Sequence, residues 1–326
     1  MHTPRTIAAG ACLATALFAV TAAHAGVYRA PRTHDGQPDL QGIWTNVSVT
    51  RLERKPGLPL IVPRTKEAAF EKAAIWAFMH ITDDPFDQRA SEWQPEYRAA
   101  RIAGRMRTSF VVSPADGRLP WRPEARKAYE ALQAAIPTSA DGPEARPLSD
   151  RCLVVQTGPP MGNPNSAGGR QIVQTPTEIA IVSEMIHDVR IVRLGSRGGP
   201  RRPPHLPGNV RPWMGDSIGW WEGDTLVVET TNLHPQERLH AGFIISPDAR
   251  ITERFTRVSA TELIYAYEVD DPATFTEVWR AEMPFHAESG PLYEFACHEG
   301  NYSMAGTLAG ARREEADAKA AGQGAH

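Results

Sequence analysis

Eight residues near the end of the chain, Glu294-Phe-Ala-Cys297-His298-Glu299-Gly300-Asn301, carry a thiol, an imidazole, two carboxylates and an amide. These are the groups of acid–base chemistry. An imidazole or a carboxyl beside a polar anchor can move a proton in a lyase, isomerase or hydrolase reaction. Read as a strand, the run sorts by alternation. Leu292, Glu294, Ala296 and His298 share one face, and Tyr293, Phe295, Cys297 and Glu299 share the other. Glu294 and His298 then stand roughly 13 Å apart, too far to bond directly but able to line one cavity. His298 is the expected proton-transfer group, with Glu294 beside it on the inner face. Glu299 takes the role if the opposite face is the inner one. Gly300 can mark a bulge that re-aims Asn301 at a substrate carbonyl or hydroxyl.

Further upstream, Ile251, Glu253 and Phe255 share a face. An acid between two large apolar side chains either faces a lumen or pairs with an arginine of a neighbouring strand, and Arg254, Arg257 and Arg280 are the available partners. Tyr265 lies on a face with Leu263 and Tyr267, and Trp279 shares one with Phe275 and Met283. Such aromatic stripes build cores or line ligand boxes. Glu253, Asn301, Trp279 and Tyr265 are therefore the expected ligand-binding residues. No H-x-H, H-x-x-x-H, H-E-x-x-H or C-x-x-C occurs, so no metal site is expected. Without a G-x-S-x-G, a P-loop or a strand-linked G-x-G-x-x-G, serine hydrolase, nucleotide and dinucleotide chemistry have no motif to rest on, and no cofactor is expected. His187, His205, His234, His240 and His286 read as solvated or core-satisfied residues.

The elements that must position these groups are mostly strands. From about residue 170 onward, alternating runs recur at short intervals: Gln171–Gln174, Glu178–Val182, Asp188–Arg193, Ile218–Trp221, Thr225–Thr230, Ile251–Val258, Glu262–Val269, Thr274–Met283 and Tyr293–Cys297. Thr175-Pro-Thr177 and Glu222-Gly-Asp224 punctuate them as hairpin turns. With an opening strand over Asp39–Asn46, nine or ten strands predict an antiparallel barrel or sandwich. No repeat of propeller length is present. Residues 63–150 differ in kind. Thr65 is placed to cap a helix through Phe78, Pro123 to open one through Ala135, and Glu92–Arg107 reads as a third. This stretch is a helical and loop insertion after the first strand, within a single domain over 26–326. The loop Gly195–Pro212 holds Arg197, Arg201 and Arg202 among glycines and prolines, and is expected to form a flap at the barrel mouth that favours anionic ligands.

Residues 1–25 read as a cleaved secretory leader. Arg5 is followed by the apolar run Ile7–Val20 and the small-x-small site Ala23-His24-Ala25. A periplasmic or secreted protein with no stable membrane anchor follows. Removing Arg5 takes the formal charge from −3 to −4, too mild to suggest nucleic acid as a partner. After cleavage two cysteines remain, Cys152 and Cys297. In an oxidising compartment an even pair reads as one disulfide worth about 2–4 kcal/mol, the alternative being two buried thiols.

The stretch Gly215-Asp-Ser-Ile-Gly-Trp-Trp-Glu-Gly-Asp-Thr-Leu-Val-Val-Glu-Thr-Thr-Asn232, with Glu253-Arg-Phe, Val269-Asp-Asp-Pro272, Trp279 and Glu294–Tyr302, resembles an abundant family of exported bacterial proteins of unassigned function. The resemblance covers about residues 170–310 and the Asp39–Trp44 opening, and implies a lipocalin-like β-barrel. The run Arg151-Cys152-Leu-Val-Val-Gln departs from the short proline-containing run expected after that cysteine. Two functions stand on these readings. One is an exported protein that acts on a small organic substrate by acid–base chemistry in a barrel cavity. The other is a non-catalytic carrier or sensor of a small hydrophobic ligand.

Overall fold

The computed structural model describes residues 28–80, 97–136, 140–153, 157–163, 168–195, 202–237, 239–240 and 242–323. Residues 1–25 with Cys12, Arg197 and Arg201 lie outside the described residues, as do residues 92–96 of the stretch read as a helix from Glu92.

A strand of four residues, β1 (Gly42–Thr45), opens the barrel. The insertion follows, with α1 (Glu67–Met79), the short pair β2 (Arg101–Ile102) and β3 (Arg105–Met106), β4 (Val111–Ser113) and α2 (Pro123–Ala135). Then come β5 (Arg170–Gln174), β6 (Glu178–Ser183), β7 (Val189–Leu194), β8 (Asp216–Glu222) and β9 (Thr225–Thr231). A two-residue pair, β10 (Leu239–His240) and β11 (Phe243–Ile244), precedes β12 (Arg250–Arg257), β13 (Glu262–Asp270) and β14 (Trp279–Ala287). Helix α3 (Tyr302–Gln323) ends the described chain. The sheet runs β1-β5-β6-β7-β8-β9-β12-β13-β14, and β1 also pairs with β14, which closes nine strands into a barrel. β4 adds to the outside of β14.

Both expected hairpins are present, and Gly223, at φ +62°, supplies the left-handed residue of the β8–β9 turn. Closure depends on β14, which pairs with three partners at once. The expectation of a purely antiparallel barrel is corrected in one place: β7 and β8 run parallel. No hairpin joins them. β8 is entered from the end where β7 began, and a strand entered from that end runs in the same sense.

Two local expectations also change. α1 starts at Glu67 behind a 3-10 turn over Arg64–Lys66, so Thr65 is not its cap. Residues 101–106 form a hairpin around Ala103-Gly104, both at positive φ, where a helix from Glu92 to Arg107 was expected. The insertion also carries a small apolar cluster of its own, with Val49, Val62, Ala99 and Met106 buried beneath Phe70 and Phe78 of α1. Pro123 does occupy the first turn of α2.

The barrel is filled rather than open. Trp44, Ile172, Ile181, Val192, Val228, Phe255, Tyr265 and Trp279 belong to one buried cluster. Gly219 is required there, because a Cβ would come within 2.8 Å of the Val192 side chain and 2.9 Å of that of Leu194. Among the described residues no helix is long and apolar enough to cross a membrane.

Candidate functional site

The chemistry-bearing run at 294–299 is not a strand. β14 lies four to five residues later than the alternation suggested, because Asp271-Pro-Ala-Thr274 makes a turn that Asp271 holds. Asp271 accepts the Ser246 N–H at 2.7 Å and the Ser246 hydroxyl at 2.8 Å, while its carbonyl accepts the N–H of Thr274 and Phe275. The barrel is therefore complete at Ala287, and the chain leaves it through Gly290 and Pro291. Without a strand the alternation has no meaning. Glu294, His298 and Glu299 are exposed, which corrects the expectation that they face the interior. Asn301 is committed elsewhere. Its Nδ2 donates to the Asp150 carbonyl at 2.8 Å, and its Oδ1 accepts the Met304 N–H at 3.3 Å and so caps α3.

The pairing of Cys152 with Cys297 is present, with Cα atoms 5.7 Å apart. Of the basic loop, Arg202 is described, and it is pinned. It pairs with Glu229 at 3.0 Å and stacks 3.8 Å over the Trp220 ring. His205 bridges the same outer face, with Nδ1 2.7 Å from Asp216 and Nε2 3.2 Å from Glu229. Burial works to raise both carboxyls. The bonds from the Leu206 N–H, Arg193 and His205 to Asp216, and from Arg250 and His205 to Glu229, outweigh it and hold both below their ordinary values.

The other expected residues are inside the barrel. Glu253 is fully buried and holds Arg190 of β7 in a two-pronged pair, 2.7 Å to one nitrogen and 3.1 Å to the other. Both earlier readings of Glu253 apply together, lumen-facing and arginine-paired, but the partner is Arg190. The three candidates face outward or bond backbone instead: Arg254 pairs with Glu222, Arg280 with Glu268, and Arg257 donates to the Asp39 and Ala260 carbonyls. Tyr265 donates to Glu253 at 2.6 Å and accepts the Met161 N–H at 2.9 Å. Burial pushes the Tyr265 phenol well up, and the Glu253 charge adds to that. Trp279 packs edge-on against Phe243, Tyr267 and Phe275.

Residues 157–163 lie across this network as a plug. Gly162 O accepts from Arg170 at 3.1 Å and Asn46 at 2.9 Å, and Asn163 donates to Ser48 O at 2.7 Å. At Gly158 a Cβ would overlap the Glu237 carboxyl, so a larger residue there must displace that side chain. Glu237 is buried with neither oxygen partnered among the described residues, and burial with the nearby Asp188 raises it well above its ordinary value.

Beyond the plug lies a cavity of about 720 Å³. One wall is α1, through Phe70, Ala73, Ala74, Ala77 and Phe78. A second is the 48–58 segment, and a third is Met161–Asn163. The floor is Phe243, Tyr267 and Met283, with His240 beside them. The volume falls within the usual range for a small-molecule site, and the lining is mainly apolar with a few polar groups. Its α1 wall was legible as an i, i+3, i+4, i+7, i+8 stripe in which two phenylalanines bracket three alanines. Sequence reading found the helix but not the stripe. It also missed His240, whose signal was the apolar run Phe243-Ile-Ile245 that follows it.

His240 stacks on Phe243 with ring centroids 5.1 Å apart, and its Nε2 has no hydrogen-bond partner among the described residues. Burial pushes the imidazole down from 6.5 to about 4. The unfolded chain therefore takes up a proton between those values that the folded chain refuses, so this group costs stability as pH falls through the window. Relative to the wild type, His240→Gln should gain about 2–3 kcal/mol of unfolding free energy between pH 7 and pH 4.5. Urea unfolding at the two pH values checks it, and a constant difference would refute the neutral imidazole.

No protein-family model, no curated protein and no solved structure matches the chain. What stands of the family resemblance is the closed barrel itself.

Proposed function

We propose that this is an exported protein with a lipocalin-like barrel that takes a small organic ligand into the cavity between the plug, the barrel end and α1. The observation that carries this reading is the cavity: about 720 Å³, walled by aromatic and aliphatic side chains, with at its floor a buried imidazole whose Nε2 has no hydrogen-bond partner among the described residues. The leader-like residues 1–25 and the disulfide support an exported protein. Apolar walls with few polar anchors suit retention of a ligand, so binding is the first reading.

Acid–base chemistry is the second reading, and His240 rather than His298 favours it. A neutral imidazole at a cavity floor can accept a proton, and the Tyr267 hydroxyl beside the same space makes no hydrogen bond among the described residues. Incubating the protein with a mixed metabolite extract separates the two readings. Stoichiometric retention of one compound marks a binder. Conversion to a new product that disappears in His240→Gln marks an enzyme.

The cavity reading has its own test. N-phenyl-1-naphthylamine, a neutral apolar dye that fluoresces out of water, should bind saturably at one site. Ala77→Trp, which fills the α1 wall, should weaken binding at least about tenfold while the urea midpoint stays near that of the wild type. Non-saturable binding, or equal binding by the variant, refutes the cavity as the site.

A further inference from the structure

Resting on that cavity reading, we infer that the ligand is an amphipathic organic anion, its apolar body inside and its negative group held at the mouth by Arg51, Lys55 and Arg118. The charges lining the cavity are unbalanced. Among the described residues that line it, Arg51, Lys55 and Arg118 are the cations, and Glu53 is the single carboxylate. Glu53 is already engaged: its Oε1 accepts the Leu119 N–H at 2.8 Å and lies 3.4 Å from Arg118 Nε. Arg51 and Lys55 are exposed, and neither makes a side-chain ion pair or hydrogen bond among the described residues. Two uncommitted cations thus stand at the opening of an apolar chamber.

The segment that carries them is fixed in place. Phe110 N–H donates to the Arg51 carbonyl at 3.0 Å, and Val111 N–H to the Leu52 carbonyl at 3.0 Å. Between the two free cations, Arg54 turns inward and is buried, donating to Ala115 O at 2.6 Å and Asp116 O at 3.1 Å. Its anchoring leaves Arg51 and Lys55 on the cavity side of a rigid strip, so little further ordering is needed when an anion arrives. A neutral ligand gains nothing from the pair, and a cationic one is repelled.

A matched pair of dyes tests this with the full chain. 1-Anilinonaphthalene-8-sulfonate has the ring system of N-phenyl-1-naphthylamine plus one sulfonate. The sulfonate should bind about tenfold more tightly at low salt, lose most of that advantage in about 0.5 M NaCl, and lose all of it in the double variant Arg51→Glu/Lys55→Glu. The neutral dye should bind wild type and variant alike. Ala77→Trp should weaken both dyes, which ties the signal to the cavity. Equal affinity for the two dyes, or a preference that survives charge reversal, overturns the anion inference and leaves the cavity reading standing. If neither dye binds at one site, both fall.

Discussion

Glu253→Gln is expected to cost the fold about 3–5 kcal/mol, among the largest losses a single isosteric change can cause here. The carboxylate is fully buried and gives both oxygens to Arg190, whose side chain is 2% exposed. Burial alone would lower the Arg190 guanidinium, but Glu253 more than compensates and holds it above its ordinary value. Glutamine keeps the shape and can still accept the Tyr265 hydroxyl, so the loss isolates the charge. What remains is a guanidinium inside a barrel without its counter-charge, whose Nε already lacks a partner among the described residues. Replacing both partners by apolar residues, Arg190→Met with Glu253→Leu, should be far milder than the single change, because no orphan charge is left. Urea unfolding of the three proteins gives the coupling directly. A single-variant loss under about 1 kcal/mol would show that the pair is not holding a charge in the core.

Among the barrel strands, β5, β6, β7, β12 and β13 were legible because each alternates. Ile179, Ile181 and Ser183 of β6, or Ile251, Glu253 and Phe255 of β12, fall on one face by period two and are buried together. The same alternation puts Arg190 with Val192 and Leu194, and Arg170 with Ile172, so two inward arginines were readable in principle. They were overlooked because a lone basic residue in an apolar series is ordinarily solvated. Strand sense was not legible. The parallel β7–β8 pair depends on where a long loop returns the chain, and loop composition does not encode that. Helix α3 went unread although Asn301 caps it and Arg313 pairs with Asp317 one turn on.

The site was less legible than the fold, for a physical reason. Dense polar residues attract notice in a sequence, but polar groups cluster most readily where water solvates them, as at Glu294, His298 and Glu299. A cavity is assembled from segments far apart in the chain: α1, 48–58, 160–163, 240–243, and single residues of β13 and β14. No local spacing reports their meeting. Alternation grouped Tyr265, Trp279 and Glu253 with large apolar neighbours and left core and ligand box both open; all three are buried in the barrel behind the plug and are not among the residues lining the cavity. Met161, which lines the cavity and gives its N–H to Tyr265, links the two regions.

Breaking the Cys152–Cys297 bridge is the second large effect expected, a loss of about 2–5 kcal/mol. The cysteines are 145 residues apart, so the bond closes a loop spanning nearly the whole barrel. Loop-closure entropy for that span is worth about 5 kcal/mol, and the measured cost of removing native bridges runs at or below this. The bridge also has a local task. Cys152 is buried, follows a 3-10 turn over Ser149–Arg151, and sits at φ +56°. Asn301 reaches from the start of α3 to the Asp150 carbonyl beside it. Farther along, Arg312 donates to Ala140 O at 3.0 Å and Asp141 O at 3.2 Å. Among the described residues, the bond and these few contacts tie an otherwise largely exposed helix to the insertion. Cys152→Ala/Cys297→Ala should therefore lower the urea midpoint and, before global unfolding, strip hydrogen-exchange protection from α3 while the β12–β14 amides stay protected. Reduction of the wild type should reproduce both changes. Thiol titration of denatured, unreduced protein should find no thiol beyond Cys12, and none at all once residues 1–25 are removed. Two further thiols would mean the pair is not bonded, and an unchanged exchange pattern in α3 would mean that its hydrogen bonds hold it without the bridge.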